Sequence, residues 1–267
     1  MEGHVDSAPS DSPSVFGVSE SLIPAREAKR VGHCSTSFDG LLSKPLLLKE
    51  DLAKGCGGQL WPAGMVLAKY LLRQSHSDLA DKTMSVTTYL VLVNDWWIKG
   101  ICWLIWLDSV ELGAGGGLVG LAVARGRVFG SSPVYLTDQE PMLSLMKTNI
   151  DINRLSSIAT ATILDWGEPL PQNIPAHPAI ILAADCVYFE PAFPLLISTL
   201  QQLIGPDSVC YFCFKKRRRA DLRFMKVAKK TFDISEIQDD PDADNYRREN
   251  IFLYSIRTKR PSATLQQ

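Results

Sequence analysis

A glycine turn and three carboxylates are the groups in this chain whose types and spacing suit a chemical task. Glu111-Leu-Gly113-Ala-Gly115-Gly-Gly117 joins an apolar strand to an apolar helix. Glycines at such a junction let the backbone turn sharply and let a ligand approach the main chain. Asp138 ends the next strand, 23 residues beyond Gly115, near the ~20 expected of a carboxylate that holds ribose hydroxyls. The unit suits a dinucleotide or S-adenosylmethionine, and it is also compatible with a tight strand-to-helix turn that holds no ligand. Glu111, two residues before the first glycine, adds negative charge at the pocket floor. That favours a ligand carrying a sulfonium and an amine over one carrying a pyrophosphate.

Two further segments end strands. Leu164-Asp165-Trp166 places an indole after a carboxylate, where it can border a planar adenine or simply fill a core; Trp61 has the same ambiguity. Ala183-Ala-Asp185-Cys-Val-Tyr188 closes the fourth strand. Ligands of open α/β sheets lie outside the carboxyl ends of the strands, which puts Asp185 and Tyr188 where chemistry occurs. A lysine of pKa ~10.4 must lose its proton before it attacks carbon. A carboxylate, an aromatic ring and carbonyls can orient such an amine; the plainer role for Asp185 is a helix N-cap.

These groups need a scaffold. The chain has 267 residues, 46% hydrophobic and 21% charged, with 28 Lys+Arg against 29 Asp+Glu, which excludes a globally basic nucleic-acid binder. Helices are expected from Ala63, after Pro62, and from Leu118 and Pro141, with two more over about 192–203 and 220–230. Strands are expected at 134–137, 160–164, 179–184, 209–214, 233–237 and 251–257. Alternating strands and helices, with several strands uniformly apolar, argue an α/β fold: a mostly parallel sheet with helices on both faces. Residues 1–35, rich in Ser, Pro, Asp and Glu, read as a disordered leader, and 259–267 as a flexible tail. No secretory signal is evident, and six scattered cysteines do not form a disulfide framework. Cys210 and Cys213 lie on opposite faces of one strand. A reducing, intracellular compartment follows from that usage, and the four histidines show no metal spacing.

Residues 86–109 do not fit. They hold four of the six tryptophans and 16 hydrophobic residues of 24, yet Asn94, Asp95, Lys99 and Gly100 interrupt them, which argues against a membrane span. Removing them joins Ser85 to Val110 and gives one compact strand leading into the glycine turn. The segment is either an insertion, such as a retained intron translated in frame, or a native hairpin. Lys215-Lys-Arg-Arg-Arg219, with Arg223, Lys226, Lys229 and Lys230, makes a basic face. It reads as a solvated surface partly neutralised by Asp239, Asp240, Asp242 and Asp244.

Taken together, Ser37-Phe-Asp-Gly-Leu41, Gly57-Gly-Gln-Leu-Trp-Pro62, the Glu111–Gly117 turn, Thr137-Asp-Gln-Glu-Pro-Met142, Leu164-Asp-Trp-Gly167, Ala184-Asp-Cys-Val-Tyr188 and Lys215-Lys-Arg-Arg-Arg-Ala220 carry a resemblance. Over about residues 36–258 the chain resembles the seven-strand protein-lysine methyltransferases of the methyltransferase-like class. It is most similar to fungal enzymes acting on a lysine of translation elongation factor 1-alpha. The resemblance implies a single Rossmann-like seven-strand methyltransferase domain using S-adenosyl-L-methionine. It implies cofactor contacts from Trp61, Gly113, Ala114, Gly115, Asp138, Trp166 and Ala184, and lysine-channel roles for Asp185 and Tyr188. The residues 86–109 are absent from the family's compact strand. The expected protein is a cytoplasmic monomer with a protein substrate, no membrane and no metal. An RNA methyltransferase, motivated by the basic face, and a non-catalytic binding module are the alternatives; the fourth strand lacks the Asn/Asp-Pro-Pro-aromatic turn usual for base methylation.

Overall fold

The computed structural model describes residues 31–52, 56–74 and 107–259. An antiparallel hairpin, β1 (Val31–Thr36) and β2 (Leu46–Asp51), precedes helix α1 (Pro62–Arg73). The chain then alternates: β3 (Ser109–Leu112), α2 (Leu118–Gly126), β4 (Val134–Asp138), α3 (Glu140–Ile152), β5 (Ala159–Ile163) and β6 (Ile180–Ala184). It continues through α4 (Phe193–Leu203), β7 (Val209–Lys215), α5 (Arg219–Thr231), β8 (Phe232–Glu236), α6 (Ala243–Arg248) and β9 (Ile251–Thr258). Strands β3 to β9 form one sheet of order β5-β4-β3-β6-β7-β9-β8. The β5 to β7 half is parallel, and β9 runs antiparallel to both its neighbours. The strand order reverses between β3 and β6, and a crevice opens there at the carboxyl ends.

Burial on both faces explains the apolar strands. Along β7, Val209, Tyr211 and Cys213 enter one core, while Cys210, Phe212 and Phe214 enter the other. The first core packs α1, α2 and α3 against the sheet, and the second packs α4 and α5. In the second, the Phe212 and Phe224 rings stack 5.3 Å apart and Phe193 meets Phe224 edge-on. Cys210 and Cys213 thus sit as free thiols on opposite faces, and burial raises the pKa of both.

One sequence boundary needs correction. Residues 31–35, placed in a disordered leader, belong to β1; the strand is half-exposed and has no run of apolar residues, so its pairing with β2, not its composition, creates it. Residues 1–30 lie outside the described part. Of the segment 86–109, residues 86–106 also lie outside it, but its last three are integral to the fold. Leu107 is buried and donates its N–H to Ser132 Oγ, Asp108 accepts N–H groups of Ala179 and Ile180, and Ser109 opens β3 between β4 and β6. The hairpin β1–β2 and helix α6 were not anticipated. Among the described residues no helix is long and apolar enough to cross a membrane.

Two buried polar groups fix the turn between β3 and α2. The Glu111 carboxylate accepts the N–H groups of Val119 (3.3 Å) and Gly120 (2.8 Å), satisfying donors that a helix start leaves orphaned. From α3, Asn149 accepts the Lys49 N–H (2.8 Å) and donates to the Lys49 carbonyl (3.1 Å) and the Gly116 carbonyl (2.8 Å). One turn later Asn153 does the same for Leu47, at 3.0 and 2.6 Å. The two side chains thus complete the outer edge of β2 as a neighbouring strand would, and Asn149 also ties the hairpin to the glycine turn.

Asn149→Ala strands three main-chain groups at once. Each buried group left unpaired costs roughly 1–3 kcal/mol, so the unfolding free energy falls by about 3 kcal/mol or more. Chemical denaturation measures it; a loss below about 1 kcal/mol would show that water replaces the clamp.

Burial pushes the Glu111 carboxyl up from 4.5 to about 8, against the two N–H groups that lower it. Between those values the folded protein holds a proton that the unfolded chain releases. Stability therefore falls as pH rises from about 5 to 8, by at most about 1.4 kcal/mol per pH unit. The Asp138 carboxyl, also raised by burial, adds with the same sign. Glu111→Gln lowers stability at pH 5 and flattens that slope in urea titrations; an unaltered slope assigns it to other groups.

Candidate active site

The turn after β3 needs its glycines for two reasons. Gly115 has φ +54°, and a Cβ there would lie 2.2 Å from the Gly57 carbonyl oxygen, because the 57–60 segment crosses directly over the turn. Gly113 has φ +59°, and a Cβ on it would meet the Trp166 ring at 3.0 Å. The indole thus rests against the main chain of the turn. At the end of β4, Asp138 Oδ2 accepts the Gly115 N–H at 2.7 Å and Oδ1 accepts the Gln139 N–H at 2.7 Å. A carboxylate has about four lone-pair directions, so two remain for hydroxyl donors.

All ten residues singled out from the sequence line one cleft of about 680 Å³ at the carboxyl ends of β3, β4 and β6. Gly113, Ala114, Gly115, Asp138 and Trp166 surround one part; Trp61, Ala184, Asp185 and Tyr188 line it as well. Glu111 lines the floor, but both its oxygens serve α2, so it acts as a brace of the turn more than as a free negative group.

Asp185 is not a helix N-cap. It sits at φ +54°, left-handed backbone that a non-glycine residue adopts at a cost. Its Oδ1 accepts the Lys215 N–H (2.8 Å) and Arg217 Nη1 (3.1 Å), and its Oδ2 accepts Arg217 Nη2 (3.1 Å). The Asp185 side chain is 4% exposed. Tyr188 and Phe189, at 55% and 56%, stand at the rim. Reasoning from sequence missed Arg217 as a cleft residue, because it lies within a basic run that reads as solvated surface. Its neighbours are also engaged: Arg218 pairs with Asp221 and with the Tyr188 carbonyl, and Arg223 with Glu190. The acidic loop does not neutralise this face. Asp240 and Asp242 instead grip Arg73 of α1, each at 2.6 Å.

The donor set fits a cationic cofactor. Asp138, Asp165 and Asp185 line the cleft against one cation, Arg217, while Glu111 is taken up by the start of α2. A pyrophosphate would face that excess unfavourably, whereas a sulfonium with an amine complements it. The volume falls within the roughly 300–1,000 Å³ of small-molecule sites. Among the described residues no group of His, Cys, Asp or Glu is arranged to hold a metal.

Comparison with known proteins gives the same reading. A family model described as lysine methyltransferase matches residues 41–231. The chain is 35% identical over 261 residues to the protein-lysine N-methyltransferase EFM6 of Saccharomyces cerevisiae, covering 92% of this chain and 99% of that one. It is 29% identical over 196 residues to the mouse protein N-lysine methyltransferase METTL21A, covering 65% of this chain and 87% of the relative. It is 33% identical over 152 residues to the mouse EEF1A lysine methyltransferase 3, covering 55% and 60%. With its parallel sheet, glycine turn and acidic cleft in place, the chain belongs to the lysine methyltransferase family, whose methyl donor is S-adenosylmethionine.

Proposed function

We propose that this lysine methyltransferase modifies a lysine of translation elongation factor 1-alpha in the cytoplasm, with Asp185 and Tyr188 as the groups that meet the target side chain. The observation that carries the reading is the convergence of the glycine turn, Asp138, Trp166 and Asp185 on one cleft. The mouse relative bearing the elongation factor in its name supports the choice of substrate.

The residues divide the labour along the cleft. Bound S-adenosylmethionine supplies an electrophilic methyl group on a sulfonium. Asp138, with two acceptor directions left, holds the ribose hydroxyls, and Trp166 borders the adenine. The turn at Gly113–Gly115 brings the main chain close to the ligand, while Ala184 and Trp61 wall it. Asp185, rigidly held by the Lys215 N–H, orients the lysine nitrogen, and Tyr188 shapes the channel mouth. Fixing the nitrogen in one direction and excluding water lower the barrier without a covalent intermediate.

The test uses purified full-length protein, labelled donor and elongation factor 1-alpha, with mass spectrometry of the product. Asp185→Asn cuts methylation by about 100-fold or more while S-adenosylhomocysteine still binds by calorimetry. Asp138→Ala weakens that binding by roughly 10- to 100-fold, the worth of one or two hydrogen bonds to a charged group. Methylation unchanged in Asp185→Asn would remove Asp185 from its role. Label that survives protease but not RNase, in a lysate, would replace the protein substrate with RNA.

A further inference from the structure

The groups best suited to receive a lysine's positive charge are already engaged by the chain itself. Arg217 forks onto Asp185 through both terminal nitrogens, each at 3.1 Å. Its guanidinium also lies over the Trp61 ring, 5.1 Å from the centroid. A buried carboxylate and an indole face together form a seat for an organic cation. Both groups, with Arg217 and Tyr188, line the same cleft. An ammonium and a guanidinium cannot share that seat, because like charges a few ångströms apart repel.

The pair is built so that one partner is fixed and the other can leave. Asp185 is 4% exposed, and its Oδ1 also accepts the Lys215 main-chain N–H, a bond that does not run through the Arg217 side chain. The Arg217 side chain is 35% exposed. Its main chain is held separately, since the Arg217 N–H donates to Asp221 Oδ2 at 2.7 Å at the start of α5. Detaching the guanidinium therefore requires side-chain rotation only, with β7 and α5 left in place. The departing guanidinium is rehydrated from its exposed side, and the buried carboxylate it leaves requires another cation in its place, so the pair opens by exchange.

We propose that Arg217 is a displaceable latch: the target lysine's cation exchanges with its guanidinium on Asp185 and Trp61, so that Arg217 sets the affinity for substrate. This rests on the reading that Asp185 receives the target lysine. Arg217 is a positioning residue, since it acts through the seat and leaves when the substrate arrives. A latch closed about nine-tenths of the time weakens apparent substrate affinity about tenfold, because only the open fraction can bind.

The experiment compares parent, Arg217→Gln and Arg217→Lys in the full-length protein loaded with S-adenosylhomocysteine. n-Butylammonium chloride is titrated while the Trp61 indole is followed by NMR. Arg217→Gln is expected to bind n-butylammonium roughly tenfold more tightly than the parent, and Arg217→Lys, which keeps a cation at the seat, to remain near the parent. With protein substrate, Arg217→Gln lowers KM by a similar factor and changes kcat less. Equal or weaker n-butylammonium binding in Arg217→Gln, or a raised KM, overturns the latch. Retained S-adenosylhomocysteine binding certifies the fold, and Arg217→Met substitutes if Arg217→Gln fails it. Because n-butylammonium binding needs no methyl transfer, a parent protein that methylates nothing would sink the proposed function while leaving the latch to be judged by the titration.

Discussion

The hydrogen bond from the Gly115 N–H to Asp138, 2.7 Å long, fixes the geometry on which the cleft depends. It joins the end of β4 to a turn whose backbone visits left-handed conformations at Gly113, Gly115 and Gly117. Such a turn has no preferred shape of its own, because glycine is free to adopt many. Its shape is imposed from outside: Asp138 holds one residue, Asn149 the next carbonyl, and Glu111 the start of the following helix. The floor of the site is therefore a conformation that side chains from two neighbouring elements and the preceding strand enforce together.

The same contacts explain why the amino-terminal hairpin matters to the site. β1 and β2 form a separate two-stranded sheet, and a lone hairpin is marginal in water. Here it is secured by Asn149 and Asn153, and residues after it cross the turn closely enough that Gly115 tolerates no side chain. The hairpin and the turn hold each other, so damage to either reaches the cleft wall.

Much of this was legible in the sequence. The strands β4 to β9 and the helices α2 to α5 follow from alternating apolar and amphipathic segments, and the two-sided burial of β7 follows from its uniformly apolar composition. The cleft residues were legible because strand ends in a parallel sheet share one edge, so Gly113, Asp138, Trp166 and Asp185 had to converge. The hairpin was hidden because its partners are distant in sequence and its first strand has no apolar run. A signal existed: Asn149, on the buried side of α3, and Asn153, four residues on at its carboxyl cap, are polar groups with no reason to be buried there unless something pairs with them. Arg217 was hidden for the opposite reason. In a run of five basic residues nothing distinguishes the one that turns inward; only the left-handed backbone at Asp185 and the indole at 61 single it out.

Charge then decides what the cleft can hold. Asp138, Asp165 and Asp185 converge on the cleft beside the braced Glu111, and burial pushes up the carboxyls of Glu111 and Asp138. Such a site is under electrostatic tension unless positive charge is supplied. One cation comes from the chain, and it settles on Asp185, at the part of the cleft lined by Tyr188 and Trp61. The portion bounded by Asp138, Asp165 and Trp166 contains no side-chain cation of its own among the lining residues. A donor bearing a sulfonium and an amine would relieve the tension there, and a substrate ammonium could replace Arg217 at the other end. Both ligands are thus selected by the same deficit of positive charge, one by filling it and the other by exchanging for what partly fills it.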